Sequence, residues 1–390
     1  MKNDMIKCLH LFQKALVLII HLKDIPLLKT AGCFLCLLGP LVHNRRMRIP
    51  HHGHWLPAIP AILHLRLGVL FGPQGDPLIE PDRPTLATLL RSAGYRTGMT
   101  GKWHVGLTYR AADGTPAASY EQADLRKGIA DGPLDHGFDF FHGTSRSHPT
   151  SATQGWLAGD QVPAATGPQS VDASKYVLAQ TGVKNFQAAR QFLTEHMAGE
   201  ESRQQPFFLY YAYHSNHTRH TPCKQLAGIP VAGQGRPAGR RSDFIYENDV
   251  VLGQLLRFLE TSPDPRRPGK MLLENTLVIF TSDNGAENTS KMATGPVRSN
   301  KGSVYEGGHR IPMIAAWQLG GVGNADPATP GRTSSFPVGL VDLFATFAEL
   351  VDARAEKIGG EDSQSLLPVF RGQEPAGRTP LVHHDHKQGG

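Results

Sequence analysis

The sequence contains few cysteines and no long apolar run. Only four cysteines occur in 390 residues, and three of them, Cys8, Cys33 and Cys36, precede residue 40. Cys33 and Cys36 form a CxxC pair, but without a second pair of ligands we predict neither a zinc nor a redox site. The two apolar runs, ALVLII and AGCFLCLLGPLV, are shorter than the roughly 20 residues that cross a bilayer. The sequence therefore predicts neither a disulfide-stapled scaffold nor a membrane span.

Acidic residues are scarce in the first part of the chain. Residues 1–66 hold nine Lys or Arg, two Asp and no Glu, and this segment carries the excess behind the formal charge of +6. Because the rest of the chain is close to neutral, we predict no nucleic-acid partner. We interpret residues 1–66 as an atypical basic segment of doubtful origin. It is either a poor secretory signal, since lysines precede the run ALVLII, or a stretch translated from a wrong start or shifted frame.

From residue 67 onward, helix and strand patterns alternate. Helices are predicted for TLATLLRSA, which ends before Gly94, and for VKNFQAARQFLTEH, SDFIYENDVVLGQLLRFLE and VGLVDLFATFAELVDA. Buried strands are predicted for PFFLYYAYHS, NTLVIFTSDNG and IPMIAAW. Helices and strands of these lengths predict an α/β fold, a wound sheet covered by helices on both faces.

The strand pattern TLVIFT is followed by Ser282, Asp283, Asn284 and Gly285, which mark its carboxyl end. Ligands of open α/β sheets bind at that edge, so we look for the functional site there. Three loops rich in Gly, Pro, Ala and Ser, at residues 110–132, 145–175 and 228–242, are predicted to be insertions on the substrate side rather than domain linkers.

Five segments of the chain resemble a known enzyme family. The order and rough spacing of the sulfatase family, especially its arylsulfatase branch, are found in GYRTGMTGKWHVG, DHGFDFF, PFFLYYAYHSNHTRHTP, TLVIFTSDNGAEN and NKGSVYEGGHRIPMIAAW. The resemblance covers about residues 67–390, which we interpret as a partial sulfatase catalytic domain. It implies a fold of the alkaline-phosphatase type, with a central mixed sheet covered by helices on both faces. It also implies a divalent cation, usually Ca²⁺ with Mg²⁺ as the alternative, and hydrolysis of sulfate esters by a formylglycine made from cysteine.

Asp283, Asn284 and Lys301 match residues that bind metal and sulfate in the resembling enzymes. Asp283 offers a carboxylate and Asn284 a carbonyl oxygen, and such hard ligands suit Ca²⁺ at about 2.3 to 2.6 Å. By itself, Asp-Asn-Gly after a strand equally indicates a helix N-cap or an Asx-turn. Lys301 matches the family's second sulfate-binding lysine, although alone it would read as a solvated loop lysine. Gly307 and Gly308 would let the backbone approach the site closely.

Lys102 and His104 lie two residues apart in GKWHVG. On a strand or extended loop both would face one side, while Trp103 packs on the other. In the resembling enzymes this lysine contacts the sulfate and the nucleophile, and this histidine orients the hydrated aldehyde and helps it release sulfate. The alternative is an exposed lysine beside a hydrogen-bonded loop histidine.

The segment SNHTRHTP offers two candidates for a further histidine of the site. Relatives carry Ser-Pro-His-Thr-Pro here, and their histidine donates to the bridging oxygen of the sulfate as a general acid. His217 lies in that register, whereas His220 is followed by its own Thr-Pro. We favour His217 for the role and predict that His220 also binds substrate. His214 is expected to be structural, and the glycosylation sequon at Asn216 is not expected to be used.

The sequence departs from the family where the nucleophile should be. Relatives carry two adjacent aspartates at the end of the first strand, and soon afterwards a Cys or Ser followed by x-Pro-Ser-Arg. No adjacent Asp pair occurs in this chain, and none of its cysteines, Cys223 included, has that context. We therefore predict no nucleophile, and we expect the first core strand and the small C-terminal sheet to be lacking. The two strand edges left unpaired in the core would favour aggregation.

Three hypotheses follow. In the first, the chain is a sulfatase by descent, periplasmic or extracellular like its family, whose complete relatives cleave aryl or carbohydrate sulfate esters. This chain would then be weakly active or inactive, because a nucleophile and half of the metal ligands are missing. In the second, it binds sulfate or a sulfated glycan through Lys102, His217 and Lys301 without catalysis. The third, less supported, is a phosphate-ester hydrolase of the same superfamily, which would need a Ser or Thr nucleophile and more metal ligands.

Overall fold

The computed structural model describes residues 15–22, 35–37, 77–146, 155–287, 293–323, 331–355, 358–378 and 380–382. The strands are β1 (Ala15–His21), β2 (Leu35–Leu37), β3 (Arg96–Lys102), β4 (Thr108–Tyr109), β5 (Ile129–Asp131), β6 (Phe140–Thr144), β7 (Leu157–Ala158), β8 (Ala165–Gly167), β9 (Ser170–Val171), β10 (Phe207–Ala212), β11 (Gln225–Leu226), β12 (Ile229–Pro230), β13 (Thr276–Ser282), β14 (Met313–Ala316) and β15 (Arg332–Ser334). The α-helices are α1 (Leu86–Ser92), α2 (Thr181–Ala198), α3 (Arg240–Thr261), α4 (Glu306–His309), α5 (Asp342–Leu350) and α6 (Leu367–Phe370).

One mixed sheet of nine strands organises the fold, in the order β15-β2-β14-β13-β1-β10-β3-β6-β7. β10, β3 and β6 run parallel to one another. β1 is antiparallel to both of its neighbours, β10 and β13, so β13 points in the same direction as β10. Three further sheets have two strands each. In one of them β5 falls within the loop predicted at residues 110–132 and its partner β4 just precedes that loop, and β8 with β9 fall within the loop predicted at residues 145–175. The predicted α/β architecture with a mixed central sheet is confirmed.

Alternate residues of β1 belong to two separate hydrophobic clusters. Leu16, Leu18 and Ile20 pack in the cluster that contains residues of α1 and α5. Val17 and Ile19 pack in the cluster that contains residues of α2 and α3. Because successive side chains of a strand point to opposite faces, the two clusters lie on the two faces of the sheet. Helices therefore cover both faces, as predicted.

The expectation that the centre of the sheet lacks a strand is wrong. β1 lies between β10 and β13, paired along Leu16–His21 with the former and along Ala15–His21 with the latter, so neither central edge is left unpaired. The run ALVLII is too short to cross a bilayer, but it has the length of an ordinary strand. Its apolar character indicates burial on both faces equally well, and the structure uses it in that way.

The carboxyl end of β1 is held by polar contacts. His21 Nε2 lies 3.0 Å from Asp264 Oδ2, and both side chains are buried. The backbone N–H of Leu22 donates to Asn275 O at 3.1 Å, and Asn275 Nδ2 donates to Leu22 O at 3.0 Å. Burial lowers the pKa of His21, because the charged imidazolium is disfavoured away from water. These contacts place the end of β1 beside the start of β13.

The helices agree with their predictions, with one shortened. α1 begins after Thr85, whose Oγ1 accepts from the Thr88 N–H at 3.0 Å, and the chain turns away at Gly94 with φ +86°. The predicted inward face of α2, namely Phe186, Ala189, Phe192 and Leu193, is buried. α5 is shorter than the pattern VGLVDLFATFAELVDA, because buried Asp342 begins the helix and its carboxylate accepts from the Gly339 N–H at 2.7 Å.

The described residues contain neither a candidate membrane-spanning helix nor a strand after Ser334. None of the helices described is long and apolar enough to cross a membrane. The described residues after Ser334 contain no strand, and residues 383–390 lie outside the described part of the chain.

Candidate active site

Three segments predicted to carry functional residues meet at one edge of the sheet. β3, β10 and β13 point in the same direction, and their carboxyl ends are level. Ala212 at the end of β10 pairs with Gly101 of β3 and with Leu16 of β1, and Ala15 of β1 pairs with Ser282 at the end of β13. The residues that follow β3, β10 and β13 therefore share the edge where ligands of open α/β sheets bind.

The Asp283 and Asn284 side chains lie at this edge in an environment that suits a cation. Asp283 is exposed, and Asn284 Oδ1 is buried with no hydrogen-bond partner. No helix begins in the described residues directly after the pair, which argues against a helix N-cap. Burial, with the Asp283 charge adding to it, raises the pKa of Tyr210 to about 12. A carboxylate beside an unpartnered amide oxygen fits a hard cation such as Ca²⁺.

These two side chains alone would not complete a metal site. No group of three or more His, Cys, Asp or Glu residues that could hold a metal occurs among the described residues. Two oxygen ligands leave most of the six to eight positions of Ca²⁺ unfilled. The donors present therefore fit the cation in type but not in number.

The Lys301 loop packs directly against the segment that follows Asn284. The Lys301 N–H donates to Ala286 O at 2.8 Å, and the Gly285 N–H donates to Gly308 O at 2.8 Å. A Cβ on Gly285 would lie 2.0 Å from Gly307 O, so the two backbones can approach this closely only with glycine there. A Cβ on Gly307 would lie 2.0 Å from Ser299 O and one on Gly308 would lie 2.0 Å from Ser303 O, so this glycine pair permits a close backbone approach within the Lys301 loop.

Glu287 links Lys301 to the histidine-rich segment, and sequence reasoning missed it. Its Oε1 lies 3.4 Å from His217 Nε2 and 4.0 Å from Lys301 Nζ. Its Oε2 accepts a hydrogen bond from the Thr218 N–H at 3.0 Å. The only available signal was its position three residues after Asn284, within the stretch TLVIFTSDNGAEN.

The three histidines after β10 differ in their surroundings. His214 is buried, with Nε2 2.7 Å from Thr144 Oγ1 and Nδ1 2.9 Å from Asn185 Nδ2, which suits the structural role predicted for it. His217 is half-buried and faces Glu287. His220 Nε2 is buried without a hydrogen-bond partner. Burial lowers the pKa of His220, and the nearby positive charge of Arg241 lowers it further.

Glu247 of α3, a second residue that the sequence did not indicate, holds the two ends of the histidine-bearing loop. One carboxylate oxygen accepts from the Cys223 N–H at 2.7 Å, and the other accepts from Ser215 Oγ at 3.2 Å. Glu247 is 1% exposed, and burial raises its pKa. One buried side chain thus joins residues on both sides of His217 and His220.

Lys102 and His104 approach from the β3 side of the same edge. Lys102 ends β3 opposite Thr144 of β6, and the His104 N–H donates to Ser145 O at 2.9 Å. Trp103 is buried and its indole N–H donates to Gly106 O at 2.6 Å, which confirms its inward packing. His104 has φ +57°, so the extended backbone that the prediction assumed does not continue through it.

Cys223 is the one cysteine whose side chain the structure describes, and it is not a candidate nucleophile. The thiol is buried beside Glu247, and burial raises its pKa, so the thiolate is disfavoured. The described residues do not include Cys8, Cys33 or the side chain of Cys36. The prediction about the CxxC pair therefore falls outside the described part of the chain. The described residues supply no nucleophile of the kind that the family uses.

Comparison with known proteins identifies the family. The sulfatase family model matches residues 57–353, beginning inside the segment interpreted as atypical; the boundary at residue 66 stays a prediction. Human arylsulfatase A is 31% identical over 350 residues, which cover 84% of this chain and 60% of that protein. Mouse steryl-sulfatase is 26% identical over 381 residues, covering 85% and 58%. The chain thus spans about three fifths of the length of these relatives.

A solved structure agrees in fold. A Bacteroides thetaiotaomicron protein described in connection with the metabolism of multiple glycosaminoglycans superimposes with a TM-score of 0.59 at 20% identity, covering 81% of this chain and 72% of its own. The matched family model, the curated relatives and the mixed sheet agree with the resemblance seen in the sequence. The chain belongs to the sulfatase family.

Proposed function

We propose that the protein acts on aryl or carbohydrate sulfate esters at the carboxyl edge of the sheet, as a sulfuric ester hydrolase or a descendant of one. The observation that carries the proposal is the convergence of His217 and Lys301 on one carboxylate, three residues beyond Asn284. Cationic groups and N–H donors stabilise the negatively charged oxygens of a compact anion such as sulfate, and the two hard oxygen ligands nearby suit a cation. Export to the periplasm or the extracellular space is proposed from family membership.

The residues of the site would divide the work as follows. Lys301 and Lys102 would bind sulfate oxygens from two sides of the edge, with His104 accompanying Lys102. His217, with His220 beside it, would donate a proton to the bridging oxygen of the ester and so assist the leaving group. A Ca²⁺ ion, or Mg²⁺, held by Asp283 and Asn284 would neutralise charge on the sulfate oxygens.

Turnover by this chain is proposed to be very low or absent. The described residues contain neither a formylglycine precursor nor the second half of a calcium site. A covalent nucleophile and a complete metal centre supply much of the rate of such reactions. The alternative of a non-catalytic binder of sulfate or sulfated glycans is favoured by the same observation, because the described residues include the cationic side chains but no nucleophile of this kind.

The experiment is a titration of the purified chain with inorganic sulfate by calorimetry in the presence of Ca²⁺, together with an assay of aryl sulfate hydrolysis. We expect saturable sulfate binding, weakened roughly tenfold or more in Lys301→Ala, because one hydrogen bond to a charged group is worth about 1.5 to 3 kcal/mol. Lys270→Ala is the matched control, since Lys270 pairs with Glu274 at the opposite end of β13 and should leave binding unchanged.

One result would contradict the proposed site, and another would contradict the proposed lack of turnover. Equal sulfate affinity in the wild type and in Lys301→Ala would remove Lys301 from the site. Measurable hydrolysis of an aryl sulfate that disappears in Lys301→Ala would show that the chain is an active enzyme, and the binding-only alternative would fall.

A further inference from the structure

Three donor groups face the Glu287 carboxylate, one through a hydrogen bond and two through ion pairs. They are the Lys301 ammonium at 4.0 Å, the His217 Nε2 at 3.4 Å and the backbone N–H of Thr218 at 3.0 Å. The Glu287 side chain is 16% exposed, so the carboxylate lies within the site rather than on the outer surface. Its negative charge also reaches Arg241 and His220, and it raises the pKa of both groups against the effect of burial.

This set of donors is the set that an oxyanion needs. An ammonium group, an imidazole N–H and a backbone N–H are standard partners of sulfate, phosphate and carboxylate oxygens. Two of the four side chains that the sequence predicts to bind substrate, His217 and Lys301, therefore already face an anion belonging to the protein itself. We call these three donors the anion-binding donors.

We propose that the Glu287 carboxylate occupies the anion-binding donors in the absence of substrate. The sulfate group of a substrate must displace this carboxylate in order to bind. The inference rests on the proposed function of the site. A second anion cannot share donors with a carboxylate at these distances without direct repulsion, since like charges a few ångströms apart disfavour each other strongly where water is partly excluded. Glu287 thereby weakens the binding of any single anion and limits the affinity of the proposed sulfate pocket.

A different role for the same contacts makes an opposite prediction. Glu287 joins the histidine-bearing loop to the Lys301 loop, so it could serve only as a brace that holds the donors in place. Removing a brace would loosen the donors and weaken sulfate binding, whereas removing a competing anion would strengthen it. Glu287→Gln separates the two, because glutamine keeps the length of the side chain and an acceptor for the Thr218 N–H but carries no charge.

The experiment measures the dissociation constant of inorganic sulfate by calorimetry at pH 5.5, where an imidazole of ordinary pKa, about 6.5, is mostly protonated. We expect Glu287→Gln to bind sulfate roughly tenfold more tightly than the wild type. Glu287→Asp, which keeps the charge, should remain close to the wild type. Glu306→Gln removes a charge from the same region, where Glu306 pairs with Arg310, and should not change the affinity.

Unchanged or weaker sulfate binding in Glu287→Gln, with binding by the wild type intact, would overturn this inference and leave the proposed function standing. An equal gain in Glu306→Gln would reduce the effect to net charge and overturn it as well. Absence of sulfate binding in the wild type and in every variant would overturn both proposals. Thermal unfolding of each variant confirms that the compared chains are folded.

Discussion

Glu247 shows how a buried carboxylate can organise a functional loop without being part of the chemistry. It accepts hydrogen bonds from Ser215 Oγ and from the Cys223 N–H, and Gly182 of α2 packs against it so closely that a Cβ there would lie 2.0 Å from its Oε1. A buried carboxylate is costly unless its hydrogen bonds are made. The loop that carries His217 and His220 is therefore held at both ends by one side chain.

Replacing Glu247 should destabilise the fold according to the hydrogen bonds that are lost. In Glu247→Ala, the buried Cys223 N–H loses its acceptor, and we expect a loss of about 2 to 4 kcal/mol in the free energy of unfolding. Glu247→Gln, which preserves the size and one acceptor, should lose less than half as much. Urea unfolding measures both. Equal losses in the two variants would show that the charge, rather than the acceptor oxygens, holds the loop.

At the residue scale, the sequence indicated the residues whose neighbours along the chain are distinctive. Asp283, Asn284 and Lys301 lie in short motifs, and the structure brings them to one region of the sheet edge. Glu287 and Glu247 were missed because their importance lies in contacts with His217, Lys301 and Ser215, which are distant in the chain. No local pattern distinguishes such a carboxylate from a solvated one.

At the scale of elements, β1 marks the limit of local sequence patterns. The run from Leu16 to Ile20 was interpreted only as part of an atypical segment, and it forms a buried central strand. Apolar character does not specify which strands a segment pairs with or in which direction it runs, because either depends on the rest of the sheet. The long helices α2 and α3 were predicted correctly because their period of apolar residues is repeated over many turns.

The direction of β1 can be tested by cysteine cross-linking. Ala15 pairs with Ser282 in the antiparallel register, whereas His21 pairs with Thr276 at the other end of the strand. We expect Ala15→Cys with Ser282→Cys to form a disulfide under mild oxidation, since paired residues of adjacent strands lie within disulfide range. His21→Cys with Ser282→Cys should not. A cross-link only in the second pair would show that β1 runs parallel to β13.

At the scale of the whole molecule, two hydrophobic clusters on opposite faces of one sheet surround several buried histidines. His196 of α2 is 1% exposed, and its ring packs edge to face against Phe207 with the ring centroids 5.0 Å apart. Burial lowers the pKa of His196 to about 3, and it lowers the pKa of His21 and His142 as well. These side chains are held neutral in the folded state.

Acid should therefore destabilise the molecule at a pH where carboxylates are still ionised. The unfolded chain takes up protons at His196 below its ordinary pKa of about 6.5, while the folded chain does so only near pH 3. The contribution of His196 to stability is complete above about pH 6.5 and falls, by at most about 1.4 kcal/mol per pH unit, as the pH decreases toward 3.

The measurement is the free energy of unfolding between pH 7 and pH 4.5 in the wild type and in His196→Asn. The variant is expected to be less stable at pH 7 because packing is lost. Its free energy of unfolding should fall less steeply as the pH decreases, because it takes up as much as one proton fewer on unfolding. Parallel curves for the two chains would mean that His196 does not titrate on unfolding.

The antiparallel direction of β1 has a consequence for the polarity of the sheet. A strand can form backbone hydrogen bonds with its neighbours in either the parallel or the antiparallel direction. Reversing the strand, however, moves each of its ends to the opposite edge of the sheet. The end of β1 that follows the chain direction, His21, lies beside the start of β13, and its beginning, Ala15, lies beside Ser282. Any carboxylates placed directly after β1 would therefore emerge on the side of the sheet away from Asp283. Acidic residues introduced ahead of Ala15 would instead lie on the Asp283 side, so the direction of a single strand limits where ligands for a metal ion can be added to this sheet.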